Sequence, residues 1–268
     1  MDHNSQYSNI DTEPKVIVSM TTFPAAIKYA HRSILSLLKS KVRPHKLILY
    51  VTESEFDDFK ELNEIKRLSE IYPHFEVRNY PFNIRSYRKL IPALADFPND
   101  IIITVDDDVD YHPDMIGSLI THHHKYPNAI FAHRAKRIEP NKPYKKWKKY
   151  RWYHFLFKKF YHSPLNIPTG VGGVLYPPNS LKKEFIDAEL FTQIAPTTDD
   201  IWFWAAATAN STEIMPVPFG YNKPKGLQKP KKLSLKTVNF KEGFDNNYQT
   251  FNKIVELYPE ISERIATR

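Results

Sequence analysis

Residues 101–110 read IIITVDDDVD, and this stretch decides the fold. Its first five residues are a continuous, largely β-branched run, the pattern of a strand buried on both faces. Asp106, Asp107 and Asp108 follow at once, with Asp110 two residues on. Upstream, VIVSM (16–20) and LILYV (47–51) read as two more buried strands, and residues 75–79 as a weaker one. Between the strands, apolar residues recur at spacings of three and four, which predicts helices over 25–40, 55–70 and 87–95. The last contains Pro92, which a helix tolerates in its first turn and little beyond. Strand alternating with helix predicts an α/β fold, a mostly parallel central sheet with helices on both faces. Such sheets bind ligands in a crevice beyond the carboxyl ends of their strands. The polar strand ends Thr21-Thr22, Thr52-Glu53 and Asp106-Asp107-Asp108 are therefore expected to converge.

Beyond residue 127 the pattern loosens. A basic aromatic stretch leads to a Gly-rich strand (170–176), a helix over 199–209, a Lys/Pro-rich loop (223–232) and a C-terminal helix near 246–257. The organisation expected is a disordered polar tail (1–14), a first half (15–133), the basic aromatic segment (134–165) and a second half (166–268). With 268 residues, 41% hydrophobic and 14% aromatic, the chain can bury a sizeable core, which excludes wholesale disorder. Cysteine is absent, so thiolate zinc sites and cysteine nucleophiles are excluded. The N-terminus lacks the apolar segment of a secretory signal, and no run approaches the ~18 apolar residues of a spanning helix. A soluble cytoplasmic protein is expected.

The net charge is +8, but residues 134–159 hold eleven Lys or Arg against Glu139 alone, a net +10, which leaves the remainder near −2. The basic pI of 9.3 thus reports one patch, and no nucleic-acid partner is expected. Within it, KPYKKWKKYRWYHFLFKKFYH interleaves nine aromatics with cations between Tyr144 and Tyr161. That composition suits an anionic membrane surface, where each cation is worth ~1 kcal/mol, or stacking on the sugars of a phosphorylated glycolipid acceptor. A solvated loop with core aromatics is the plain alternative. Peripheral contact with the inner face of the cytoplasmic membrane is the expectation.

Aspartates packed as closely as 106–108 repel one another, and a divalent cation is the usual remedy. Mn2+ or Mg2+ takes hard oxygens, typically one or two carboxylates with substrate phosphates completing the shell. In extended backbone Asp106 and Asp108 share one side and Asp107 the other. A solvated acidic turn capping the next helix is the alternative.

VSMTTFPAAI, NIRSYRKLIPAL, IIITVDDDV, GVGGVLYPP and PTTDDIWFW, in this order, resemble bacterial GT-A, family-2-like glycosyltransferases of the surface-polysaccharide (lipooligosaccharide or capsule) type. The resemblance spans residues 16–220. It implies a Rossmann-like GT-A fold and transfer of a sugar from a nucleotide-diphosphate sugar, UDP by preference, to a bacterial surface glycan or lipid-linked acceptor. It places Thr21, Thr22 and Glu53 at the base and ribose, Asp106 and Asp107 along the nucleotide sugar, and Asp106 and Asp108 on the metal of a DxD motif. Asp199 and Asp200 resemble the acidic dyad of inverting members, with Asp200 as the base that deprotonates the acceptor and Asp199 orienting it.

Arg85 and Lys89, four residues apart, are expected to bind the diphosphate, with Arg88 as the alternative. Gly172 and Gly173, part of a cluster holding three of the chain's seven glycines, are expected to border the sugar. Each has a structural alternative. Thr21 or Thr22 can cap a helix, Asp199 and Asp200 can occupy a helix's first turn, and the glycines can form a bulge. The third protein ligand of a metal is unassigned, because no histidine follows His162, leaving His133 as a candidate. Lys223 and Lys225 could close over the diphosphate, as in retaining members. A metal-dependent phosphoesterase or nuclease, or a non-enzymatic glycan- or nucleic-acid-binding module, are the competing classes.

Overall fold

The structure, a computed structural model, describes residues 14–150, 162–218, 225–228, 239–241 and 244–267. Nearly all of the expected tail, residues 151–161 of the basic aromatic segment, and Lys223 lie outside the described residues. The chain runs β1 (Val16–Thr21), α1 (Ile27–Leu38), β2 (Lys46–Val51), α2 (Lys60–Lys66), α3 (Leu68–Ile71), β3 (Phe75–Asn79), α4 (Ile91–Asp96) and β4 (Ile101–Thr104). Then come β5 (Val109–Asp110), α5 (Met115–His123), β6 (Ile130–Ala132), β7 (Ala135–Arg137), β8 (Lys148–Lys149), β9 (Asn166–Pro168) and β10 (Val174–Tyr176). The chain continues through α6 (Ala188–Ile194), α7 (Asp199–Ala209), β11 (Ile214–Pro216), β12 (Lys225–Gly226), α8 (Asn246–Leu257) and α9 (Pro259–Ala266).

Seven strands form one sheet in the order β11-β6-β10-β4-β1-β2-β3. β1 lies parallel to β2 and β4, and β2 to β3, while β10 opposes both β4 and β6, and β11 follows β6. Six strands therefore share one direction and β10 alone reverses. Alternate residues send side chains to opposite faces. Val18, Met20, Leu47 and Leu49 pack on one face with Ile27 and Ile34 of α1 and Ile116 of α5. Ile17, Ile48 and Tyr50 pack on the other with Ala93 of α4, the apolar run of α7, and Phe251 and Ile261 of α8 and α9. The mixed α/β sheet with helices on both faces matches the expectation.

Several element boundaries differ from the sequence reading. The helix expected over 55–70 is split into α2 and α3. The helix expected over 87–95 begins instead as a 3-10 turn, Arg85–Lys89, and only then becomes α4. Pro92 explains that break, since it falls in the first turn of α4 and cannot donate to a preceding turn. The Gly-rich strand shrinks to β10, because Gly172 and Gly173 have φ of 107° and 94° and make a turn. Among the described residues no helix is long and apolar enough to cross a membrane.

Candidate active site

A cavity of about 1170 Å3 opens where the strand order reverses. β1 leads outward to β2 on one side and meets β4 on the other, so both strands end at a switch point, the usual crevice of such sheets. Thr21, Thr22 and Phe23 line it from the end of β1, and Val105 with Asp106, Asp107 and Asp108 from the end of β4. Thr169, Gly170 and Val171 contribute from the turn after β9, and Thr197 to Asp200 from the start of α7. Two of the three strand ends expected to converge do so. Glu53 instead pairs with Lys66 at 2.6 Å outside the cavity wall, and Glu55 lines it.

The three aspartates divide the work. β4 ends at Thr104, and Asp107-Asp108 form a tight turn into β5. Asp107 accepts a 2.6 Å hydrogen bond from the Thr22 hydroxyl. Asp106 Oδ1 lies 3.1 Å from Lys89 Nζ, and the Asp106 N–H donates to the Tyr111 hydroxyl. The Asp108 carbonyl accepts from Leu227 N–H, just after β12, so residues 225–227 of the Lys/Pro-rich loop dock here and Lys225 pairs with β5. Asp106 and Asp108 place hard oxygens on the cavity wall, a donor set that suits Mg2+ or Mn2+. No three histidine or acidic side chains gather as a metal cage among the described residues. The residues present thus fit an ion held by two carboxylates, with phosphate oxygens and water completing the shell. His133 takes no part: buried behind the cavity, its Nδ1 meets the Gly172 carbonyl at 2.9 Å, and burial pushes the imidazole down to about 4, keeping it neutral.

Lys89 joins the two acidic groups. Its ammonium is 3.0 Å from Asp199 Oδ2 as well as 3.1 Å from Asp106. Burial disfavours this charge, yet Asp106, Asp199 and Asp200 outweigh it and hold the lysine well above its ordinary range. The expected shared face of Arg85 and Lys89 does not form, because the 3-10 turn puts exposed Arg85 at φ 54° on the cavity rim and Lys89 in its floor. Arg88 is the structural member: fully buried, it donates to Thr21 Oγ1, Thr52 Oγ1 and the Thr22 carbonyl, and pairs with Glu55 at 3.0 Å. That network fixes the end of β1.

Asp199 and Asp200 open α7, whose next eight residues are buried, Trp202 and Trp204 among them. The apolar helix thus plunges into the core and leaves its polar first turn at the cavity. Asp200 Oδ1 accepts from Gly170 N–H at 3.1 Å. Burial first, then the charge of Asp199, raise the Asp200 carboxyl to about 7. Gly170 is required for closeness: a Cβ there would lie 2.7 Å from both Asp106 Oδ1 and Lys89 Nζ. Gly172 and Gly173 sit one step behind the wall, where a Cβ on Gly173 would meet Met115 Sδ at 2.9 Å. Arg134, Lys136, Tyr144, Lys145 and Lys149 complete a basic side of the cavity, and Asn239 and Asn247 a polar corner. None of these seven was singled out as a site residue from sequence, though the first five lie in the basic patch for which a membrane surface or a phosphorylated acceptor was expected.

The fold and this crevice define a GT-A fold protein. Solved glycosyltransferase structures share it. GalNAc-T7, solved with UDP, GalNAc and Mn2+, superposes with a TM-score of 0.57 at 12% identity, over 94% of this chain and 50% of that one. The mannosyltransferase PcManGT from Pyrobaculum calidifontis, in complex with GDP-Man and Mn2+, gives 0.53 at 12% identity, over 95% of this chain and 74% of that one. This chain therefore spans half the length of the GalNAc-T7 structure. No family model and no curated protein sequence matches.

Proposed function

We propose that this chain is a metal-dependent glycosyltransferase that moves a sugar from a nucleotide-diphosphate sugar, UDP-linked by preference, to a hydroxyl of a bacterial surface glycan or lipid-linked acceptor. The observation that carries the reading is that the β4 aspartates and the α7 dyad open into one shared cavity at the switch point with Lys89 between them. Thr21 and Thr22 would flank the nucleoside, and Asp106 and Asp108 would hold Mn2+ or Mg2+. A bound divalent ion supplies positive charge against the diphosphate leaving group. Asp200, held by Gly170 N–H, would take the acceptor hydroxyl's proton as that oxygen attacks the anomeric carbon and the nucleotide departs, inverting the configuration. A carboxylate raised toward neutrality is a better base than an ordinary one. Asp199, paired with Lys89, would orient it.

Thermal-shift screening against UDP, GDP and CMP sugars with Mn2+ tests the reading, because a ligand that binds only the folded state raises its stability. One nucleotide sugar is expected to raise the melting temperature only when the metal is present, and Asp108→Ala to abolish that rise and turnover together. A rise unaffected by excess chelator would refute the metal assignment.

A further inference from the structure

The basic side of the cavity is under electrostatic stress. β7 and β8 pair antiparallel with Lys136 directly opposite Lys149, and like charges directly opposite on a ladder are destabilising. Arg134 enters the same cavity from just before β7. Lys136 is buried, 7% exposed. Its ammonium donates to the Tyr144 carbonyl at 2.9 Å and lies 3.4 Å from the centre of the Tyr144 ring. Burial, then Lys149, then Arg134 push that ammonium down to about 8. None of Arg134, Lys136 and Lys149 forms an ion pair among the described residues. The other buried cations here are compensated: Arg88 by Glu55, and Lys89 by Asp106 and Asp199. Three cations gathered at one wall without carboxylate partners are relieved by a bound anion.

The wall stands with the dyad. Lys136 and Tyr144 line the same cavity as Asp199 and Asp200, and of the acids that act on them Asp245 and then Asp200 lead for Lys136, and Asp200 and then Asp199 for Tyr144. An anion held there is therefore on the side where the reading above places the acceptor. We propose that Arg134, Lys136 and Lys149 form an anion subsite for the acceptor, so that the hydroxyl presented to Asp200 is carried on a sugar bearing a phosphate or a carboxylate. This rests on the transferase reading.

The test uses the full chain with Mn2+ and UDP filling the donor site. Calorimetric titration compares glucose 6-phosphate, glucuronate and unmodified glucose as probes. Each hydrogen bond to a charged group contributes ~1.5–3 kcal/mol, so at least one anionic sugar is expected to bind about tenfold or more tightly than glucose. Which of the two leads tells phosphate from carboxylate. The double variant R134Q/K149Q, at partly or fully exposed positions, should erase that preference and leave the affinity for UDP within about twofold. Equal binding of all three sugars, failure of both anions to bind at millimolar concentration, or a preference that survives the double variant would overturn the subsite. A double variant that weakens UDP itself about tenfold would assign the wall to the donor diphosphate and overturn it too. If none of the UDP, GDP and CMP sugars produces a thermal shift with Mn2+, the transferase reading and this inference fall together; a normal shift without anion preference removes the inference alone.

Discussion

Lys89 is a buried cation among carboxylates, and its two contacts at 3.0 and 3.1 Å bind the end of β4 to the start of α7. Removing one partner of a buried ionic cluster costs about 3–5 kcal/mol, because the remaining charges are stranded. Lys89→Met is therefore expected to destabilise the chain by that order at pH 7, measured by urea unfolding. Identical midpoints for the two proteins at pH 7 would show that the bridge contributes nothing. Asp200 gives a prediction of opposite sense. Its carboxyl is raised from the ordinary 3.8 to about 7, so the folded chain keeps a proton that the unfolded chain releases. Stability from this group is full below pH 4 and declines as pH rises toward 7. Asp200→Asn removes the decline, and above pH 7 it should be more stable than the parent by about 2–4 kcal/mol while losing turnover. The parent's rate should rise through pH 7 as the base ionises. A parental stability curve with the same slope as the variant's between pH 4 and 7 would sink the assignment.

At the scale of elements, legibility tracked the length of uninterrupted apolar pattern. β1, β2 and β4 were readable because VIVSM, LILYV and IIITV are short apolar runs buried on both faces, and their order fixed the switch point. The site inherited that clarity: Thr21, Thr22 and Asp106 to Asp108 follow such strands, and Asp199-Asp200 precede the apolar run of α7. What stayed hidden depended on tertiary contact. β6 and β11 are three residues each, too short for a period to show, and both rest on pairing with neighbours far along the chain. The 3-10 geometry of Arg85–Lys89 overrode the helical spacing, so the two cations that sequence put on one face have separate environments. Lys136 reads as one more surface lysine, and only the pairing of β7 with β8 and β9 turns it into the cavity.

The whole molecule unites what sequence divides at residue 133. β4 and β6 both belong to the first half, yet β10 of the second half lies between them and is hydrogen-bonded to each. Tyr87 stacks on Phe191 of α6 at 4.0 Å and donates its hydroxyl to the Ala195 carbonyl at 2.6 Å. One face of the central sheet, including Ile17, Ile48 and Tyr50, belongs to the same core as Trp202, Phe251 and Ile261. A chain cut after residue 133 would expose that face and leave β4 as an open edge, a template for aggregation. A fragment of residues 15–133 is therefore expected to show no cooperative thermal transition and to bind a hydrophobic dye, whereas the full chain unfolds in a single step. The physical reason reaches back to the site: the cavity is walled by both halves, so a first half that folded alone would have to hold Asp106 and Lys89 without Asp199. Calorimetry of the fragment decides it, and a sharp two-state melt for residues 15–133 would show that the halves are separate folding units that merely dock.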